Sequence, residues 1–179
     1  FMSVAATPEK RREEMKNFKE LLMYQLATNC LQPQPGLQVN VSCPNKDIDP
    51  SVIVGETIEY LDILRGLNIA LVPKFSVETP VAAVAEIAQH PACSGICVSN
   101  TIPWDNLPDN IRRELTGGTV SPLIKRGMTK SGGVSGRFLL PRVIRWVQEA
   151  RDAGITTHIH PGGGIIYPQD LDLLYHAGA

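Results

Sequence analysis

Short apolar runs alternate with longer amphipathic segments along most of the chain, and this alternation constrains the fold more than any other feature of the sequence. The short runs predict strands at 37–41, 69–75, 95–98 and 156–160. Segments with apolar residues three or four apart predict helices at 8–28, 51–67, 79–89, 139–153 and 168–176. Such alternation is typical of right-handed βαβ units around a parallel sheet, which is either open or closed into a barrel.

The length of 179 residues fits one domain with a sizeable core, so residues 1–179 are expected to form a single domain. One connection, 102–130, is far longer than most loops and carries several prolines and glycines. We predict that it is a long irregular loop within that domain and that it lies over the carboxyl ends of the strands.

The charge and the cysteine pattern exclude several classes of function. With 17 basic against 18 acidic residues, no broad field draws the chain to nucleic acid or to an anionic membrane. No apolar run approaches the roughly 20 residues of a membrane span. The four cysteines form no CxxC pair, which argues against a disulfide framework and a zinc knuckle. We therefore expect a soluble, cytoplasmic protein with a small-molecule ligand.

Two glycine-rich stretches flank one predicted helix. The stretch SGGVSG (131–136) precedes the helix at 139–153, and PGGGI (161–165) follows the strand at 156–160. Consecutive amides without side chains can approach a phosphate, and two such loops on neighbouring strands are typical of phosphate-binding barrels. The alternative is a pair of tight turns. Neither stretch matches the Walker or the dinucleotide motif.

Polar residues gather where the predicted strands end, and strand ends of a parallel sheet meet at one edge. Cys43 follows the strand at 37–41 and precedes Pro44, where a thiolate could accept a proton; the alternative is a small buried apolar residue. Lys74 ends a strand that is otherwise apolar, which indicates an anionic partner or a position at the strand mouth. A lysine that merely extends its charge to solvent remains the alternative.

Carboxamides and a hydroxyl occupy two of these strand ends. They are Asn40, Asn45, Asn100 and Thr101. Carboxamides match a planar ring that carries both carbonyl and N–H groups, although asparagines of ordinary turns would look the same. His158 and His160 give a competing signal, because residues two apart on a strand face the same way and could share a metal. No acidic residue stands beside them in the sequence, so a metal-dependent hydrolase is the weaker hypothesis.

Taken together, NVSCPN (40–45), PKFS (73–76), VSNT (98–101), SGGVSG and PGGGI resemble the successive strand-end motifs of dihydroorotate dehydrogenases. This resemblance spans nearly the whole chain. It implies a parallel (β/α)8 barrel of the TIM type that binds flavin mononucleotide (FMN), with about five of the eight strands present. The implied activity is oxidation of dihydroorotate to orotate in pyrimidine synthesis.

The resemblance also implies roles for individual residues. Cys43 corresponds to the catalytic base of the soluble class, and Lys74 to the lysine at the polar edge of the flavin. Asn40, Asn45, Asn100 and Thr101 correspond to substrate-binding positions. The implied phosphate cradle consists of Gly133, Ser135, Gly136, Gly163 and Gly164.

In the resemblance, the chain starts at the third barrel strand and stops before the eighth. Two unpaired sheet edges are then expected, and another segment or chain would have to cover them. The expected protein partner is a second copy in a homodimer or an electron-transfer subunit. A dihydropyrimidine dehydrogenase-like flavoenzyme is the second hypothesis, because its glycine motif is similar. A catalytically inactive barrel fragment is the third.

Overall fold

The computed structural model describes residues 1–6, 10–28, 30–31, 33–41 and 50–179. The strands in these ranges are β1 (Met2–Val4), β2 (Leu37–Asn40), β3 (Leu71–Phe75), β4 (Ile96–Val98), β5 (Ile102–Pro103), β6 (Gly133–Val134) and β7 (Ile159–Pro161). The helices are α1 (Arg11–Ala27), α2 (Pro50–Leu64), α3 (Val81–Ala88), α4 (Asp109–Thr116), α5 (Pro122–Lys125), α6 (Leu140–Asp152) and α7 (Gln169–His176).

Five of these strands form one parallel sheet in the order β1-β2-β3-β4-β7. The prediction of an α/β fold with a parallel sheet is therefore confirmed. Each predicted strand and helix is present, with ends that differ by at most three residues from those predicted. Strands β1 and β7 are the two edges of the sheet within the described part of the chain.

One face of the sheet is apolar and belongs to the core. Its residues are buried and share one hydrophobic cluster with the inward sides of the helices. The strand members include Leu37, Val39, Leu71, Phe75, Ile96, Val98 and Ile159. Burial of such side chains stabilises the fold by about 1.5–3 kcal/mol each before the entropy of ordering is subtracted.

The opposite face carries polar side chains in a continuous row. The register pairs Asn40 with Lys74, Lys74 with Cys97, and Cys97 with His160. Paired residues of neighbouring parallel strands point to the same face, so these four side chains lie side by side across four strands. We call this set the polar row.

The sheet is strongly curved towards the polar row. The ring of Phe1, next to the edge strand β1, stacks on the ring of His160 in the other edge strand, with centroids 5.8 Å apart. In a flat sheet the two edges would be separated by four strand spacings, about 19 Å. The contact between them requires the sheet to curl, with the polar row on its concave face.

The sequence predicts one long irregular loop at 102–130, but the structure contains regular elements in this segment. It contains the helices α4 and α5, and its first residues form β5, which pairs antiparallel with β6. Helix α4 is followed by Gly117, whose φ of 74° is the left-handed conformation of a C-capping glycine. Helix α5 begins after Ser121, whose hydroxyl accepts from the N–H of Leu123.

The two tryptophans of the chain connect different parts of this structure. Trp104, which follows β5, donates from Nε1 to the carbonyl of Thr119 at 2.9 Å and from its backbone N–H to Gly132. Trp146 of α6 donates from Nε1 to the carbonyl of Thr79, before α3, also at 2.9 Å. Both indoles are buried. No helix in the described ranges combines the length and apolarity needed to cross a membrane.

Candidate functional site

The residues that follow β4 are the centre of the candidate site, because each contacts a different part of it. The N–H and the hydroxyl of Ser99 both donate to the carbonyl of Gly162, at 3.1 and 3.3 Å. The Nδ2 of Asn100 donates to Oδ1 of Asn40 at 2.8 Å. This bond passes over β3, which lies between β2 and β4. The predicted ring-binding amides at 40 and 100 are therefore in direct contact.

Thr101, the next residue, lies against the first glycine loop (131–136). A Cβ on Gly133 would be only 2.7 Å from the Cβ of Thr101, so no side chain fits there. Because β5 pairs with β6, Pro103 is also held in register with Gly133. The chain after β4 thus touches both glycine-rich stretches and the end of β2.

Lys74 lies in the polar row between Asn40 and Cys97, and it is half-buried. It forms no salt bridge with a carboxylate within the described ranges. A half-buried cation without a counter-ion favours an anionic ligand or a ligand that becomes anionic. Within these ranges, the position of Lys74 supports the strand-mouth interpretation.

Cys97 and Gln38 complete the floor beneath Lys74, and sequence reasoning did not single out either. The Nε2 of Gln38 donates to the Sγ of Cys97 at 3.2 Å, and the thiol is buried. Burial raises the pKa of Cys97, and the charge of Lys74 opposes that shift. Cys97 is therefore a neutral thiol at pH 7. The alternation of the strands could have predicted its face but not this contact.

The two glycine loops meet through their backbones. A Cβ on Gly164 would lie 2.7 Å from the N of Leu140 and 2.8 Å from the carbonyl O of Gly136. Gly163 and Gly164 both have positive φ values, 100° and 77°, which only glycine adopts readily. The second glycine loop (161–165) therefore packs against the end of the first at the start of the 3₁₀ turn Arg137–Leu139.

This junction leaves peptide N–H groups available. Within the part of the chain that the structure describes, the N–H groups of Gly136, Gly163 and Gly164 donate to no protein acceptor. Ser135 is exposed beside them. A close junction of glycine loops with free N–H groups is the arrangement in which peptide amides bind a phosphate. The interpretation as two independent tight turns does not explain why the loops are in contact.

Arg137 and Asp170 adjoin the junction, and both were missed at the sequence level. The Nη1 of Arg137 donates to the carbonyl of Gly164 at 3.3 Å and forms an ion pair with Oδ2 of Asp170. Asp170 is 2% exposed. Its pKa is lowered to about 2, first by the hydrogen bond from Arg137 and then by those from the N–H groups of Tyr167 and Ile166. No local sequence signal connects residues 33 positions apart.

Two of the predicted site residues, Cys43 and Asn45, lie outside the described residues. The other predicted residues fall into two groups that the end of β4 connects. Asn40, Lys74 and Asn100 lie at the polar row, and Thr101, Gly133, Ser135, Gly136, Gly163 and Gly164 lie at the glycine loops. The structure therefore brings together strand ends that are far apart in the sequence.

The histidine pair shares the concave face, as its spacing predicts. His160 is in the polar row, and the Cβ of His158 is 3.8 Å from the position of a Cβ on Gly95. The described ranges contain no group of three or more His, Cys, Asp or Glu side chains that could hold a metal ion. The ring of His160 instead stacks on Phe1.

A groove of about 640 Å³ lies at the other ends of the strands, near the beginning of β1 and β2. Its walls include Phe1, Pro33, Pro35 and Ile69, and none of its lining side chains is acidic, basic or a thiol. Volume alone would direct attention there. Chemistry instead favours the carboxyl ends. There, paired carboxamides lie within one connected set of contacts with a cation and peptide N–H groups that have no partner among the described residues.

No family model matches this chain, and no curated protein matches it. The geometry of the site must therefore carry the functional interpretation. The glycine junction is suited to an anion, and the polar row is suited to a flat polar ring beside a positive charge.

Proposed function

We propose that this protein is a flavin-dependent oxidoreductase of the dihydroorotate dehydrogenase type. The observation that carries the proposal is the set of contacts at residues 99–101. In order along the chain, these residues contact Gly162 of the second glycine loop, Asn40 of the polar row and Gly133 of the first glycine loop. A phosphorylated cofactor at the glycine loops and a polar substrate ring at Asn40 would together contact all three parts.

The same proposal includes a flavin-binding (β/α)8 barrel of which this sheet is a part. Its support is the curvature that brings Phe1 and His160 together, with polar side chains on the concave side. In barrels of this kind the concave side is the interior, and ligands bind at the carboxyl ends of the strands. The edges β1 and β7 would pair with further strands from another segment or from a second chain.

The residues present fit the phosphate of FMN. A side chain at Gly164 or Gly133 would overlap the neighbouring loop or Thr101, and this requirement for bare backbone is typical of a phosphate cradle. We assign the phosphate to the N–H groups of Gly136, Gly163 and Gly164, with Ser135 beside them. FMN, when bound, supplies the hydride acceptor.

The protein's own groups then have distinct tasks. Asn40 and Asn100, which are bonded to each other, orient the substrate ring. Asn45 and Thr101 complete this set. The ammonium of Lys74 would stabilise negative charge on the flavin ring. Cys43 removes the proton from the substrate carbon as general base.

The proposal is tested by a visible spectrum and by flavin bleaching. The purified protein, supplied with FMN and the chains it associates with, should bind flavin and lose flavin absorbance when dihydroorotate is added anaerobically. In Cys43→Ala, flavin binding should persist, whereas the bleaching rate should fall about 10²-fold or more because the base is absent. Cys30→Ala, which removes an exposed thiol after α1, is the matched control and should bleach at the normal rate.

Two results would contradict the proposal. A protein that binds no flavin, and gains no thermal stability from it, would be an inactive barrel or another class of protein. Normal bleaching in Cys43→Ala would leave the flavin assignment intact but would reject Cys43 as the base.

A further inference from the structure

Arg137 and Asp170 form a connected cluster with the second glycine loop. Arg137 follows the first glycine loop, and Asp170 lies in α7, which follows the second. One guanidinium nitrogen, Nη1, contacts both the carbonyl of Gly164 and the carboxylate of Asp170. The side chain from one loop therefore holds the backbone of the other.

Asp170 fixes the far side of the same loop. Its Oδ2 accepts hydrogen bonds from the N–H of Ile166 at 2.8 Å and from the N–H of Tyr167 at 2.9 Å, as well as from Arg137. The carboxylate is almost fully buried, and charge-assisted bonds of this kind are stronger than neutral ones. The residues directly after the glycines are thereby fixed to α7.

Arg137 keeps part of its donor capacity for something outside the protein. Its side chain is 48% exposed, and its Cζ lies 5.6 Å from the centroid of the Tyr167 ring. Within the described ranges, Nε and Nη2 have no hydrogen-bond partner. Because guanidinium donors match phosphate geometry, these nitrogens are suited to an anion beside the glycine junction.

We propose that the Arg137–Asp170 pair positions the second glycine loop against the first, and that it thereby makes the site selective for a phosphorylated flavin over the unphosphorylated one. This inference rests on the proposed flavin function and adds a determinant of specificity to it. Arg137 supplies charge next to the phosphate, and Asp170 is a positioning residue that acts through Arg137 and the loop. Neither has a role with the flavin ring.

The requirement for such a pair follows from the loop itself. Glycines lose more conformational freedom on ordering than any other residue, and Gly162, Gly163 and Gly164 are consecutive. A phosphate that bound a mobile loop would have to order it during binding, which lowers affinity. The hydrogen bonds of Asp170 order residues 164–167 before the ligand arrives, because they link the loop to α7 and to Arg137 at once.

The test compares FMN with riboflavin, which lacks the phosphate. Fluorescence titrations would measure the Kd of each for the wild-type protein, Arg137→Met, Arg137→Lys and Asp170→Asn. We expect Arg137→Met and Asp170→Asn to weaken FMN binding about 10-fold or more, while riboflavin binding stays within about twofold. Arg137→Lys should recover part of the lost affinity, because it restores the charge without the fork.

Asp109→Asn is the control, because it removes a carboxylate from another arginine pair, with Arg112 in α4. It should leave both Kd values unchanged. Equal weakening of FMN and riboflavin by Arg137→Met would overturn the proposal, because the loss would then not involve the phosphate. Unchanged FMN binding in both Arg137→Met and Asp170→Asn would overturn it as well.

Hydrogen exchange separates this proposal from the proposed function. If the wild-type protein binds neither flavin, the proposed function fails, and the exchange rates decide whether the pair holds the loop. In Asp170→Asn the amides of Ile166 and Tyr167 should exchange faster, while those of β3 and β4 keep their protection. Unchanged exchange at 166 and 167 would refute the positioning role whatever the flavin results are.

Discussion

The two faces of the parallel sheet are built by alternate residues of the same strands, yet one belongs to the apolar core and the other carries the polar row. In β3, Leu71 and Phe75 face the helices and are fully buried, whereas Lys74 faces the polar row. Parallel sheets that are covered by helices on both faces are apolar on both. The packing of helices does not explain a polar second face. The apolar face therefore carries the stability, and the polar face carries the candidate chemistry.

The largest loss of stability is expected when a buried side chain is removed from the apolar face. Phe75→Ala removes a ring that is 0% exposed and should cost about 3–5 kcal/mol of the free energy of unfolding. Gln38→Ala, on the polar face, removes a bond to sulfur and should cost less than about 1 kcal/mol. Urea unfolding followed by circular dichroism measures both values. Comparable losses would mean that the two faces do not differ in their contribution to stability.

The second effect concerns close contact at the glycine junction. Gly164→Ala and Gly154→Ala both place a side chain on a residue with positive φ, 77° and 81°, at a cost of about 1 kcal/mol. A Cβ on Gly164 also meets the backbone of Leu140, whereas one on Gly154 meets nothing within 4 Å. Gly164→Ala should therefore lose about 2 kcal/mol more. Equal thermal stabilities of the two variants would contradict the contact between the glycine loops.

The order of strands and helices was predictable because it depends on local information. The apolar runs that became β2, β3 and β4 are bounded by polar or turn residues, and the helix periodicity of α6 is clear in the sequence. The predicted helix 139–153 differs from Leu140–Asp152 by one residue at each end. The prediction for segment 102–130 was wrong because α4 and α5 are short, eight and four residues, and bury no residue.

The site was only partly predictable, for a different physical reason. Glycine loops and strand-end amides carry a local signal, so Asn40, Asn100 and Gly164 could be chosen in advance. The contacts between them depend on sheet order and curvature, which no short stretch of sequence contains. Arg137 and Asp170 look like ordinary surface charges of a helix start until the fold joins them. Only the register shows that Cys97 lies beside Lys74.

The third prediction concerns the hydrogen bond between Asn40 and Asn100 on the polar face. A double-mutant cycle of Asn40→Ala and Asn100→Ala should give a coupling of about 1 kcal/mol, the usual net value of one side-chain hydrogen bond. Urea unfolding of the wild type, the two single variants and the double variant supplies the four values. A coupling of zero would indicate that the ends of β2 and β4 are not joined.

The smallest expected effect is a loss of stability that occurs only at acidic pH. The pKa of Asp170 is lowered from 3.8 to about 2, chiefly by the hydrogen bond from Arg137. A group whose pKa is lower in the folded state stabilises fully above its unfolded pKa and loses that contribution as pH falls through its folded pKa. The wild type should therefore lose stability relative to Asp170→Asn between about pH 4 and pH 2. Urea unfolding at a series of pH values measures the free energy of unfolding of both proteins. If the two curves stay parallel between about pH 4 and pH 2, Asp170 does not contribute to the loss of stability in acid.

The two buried indoles described above give the molecule a pair of intrinsic optical reporters. Trp104 is hydrogen-bonded to Thr119 and Gly132, so its emission reports on the segment between β4 and α6, which includes the first glycine loop. Trp146 is bonded to Thr79 and follows the packing of the helical layer. Trp104→Phe and Trp146→Phe would each leave a single emitter, so that motion near the ligand site and global unfolding could be observed separately, without a dye.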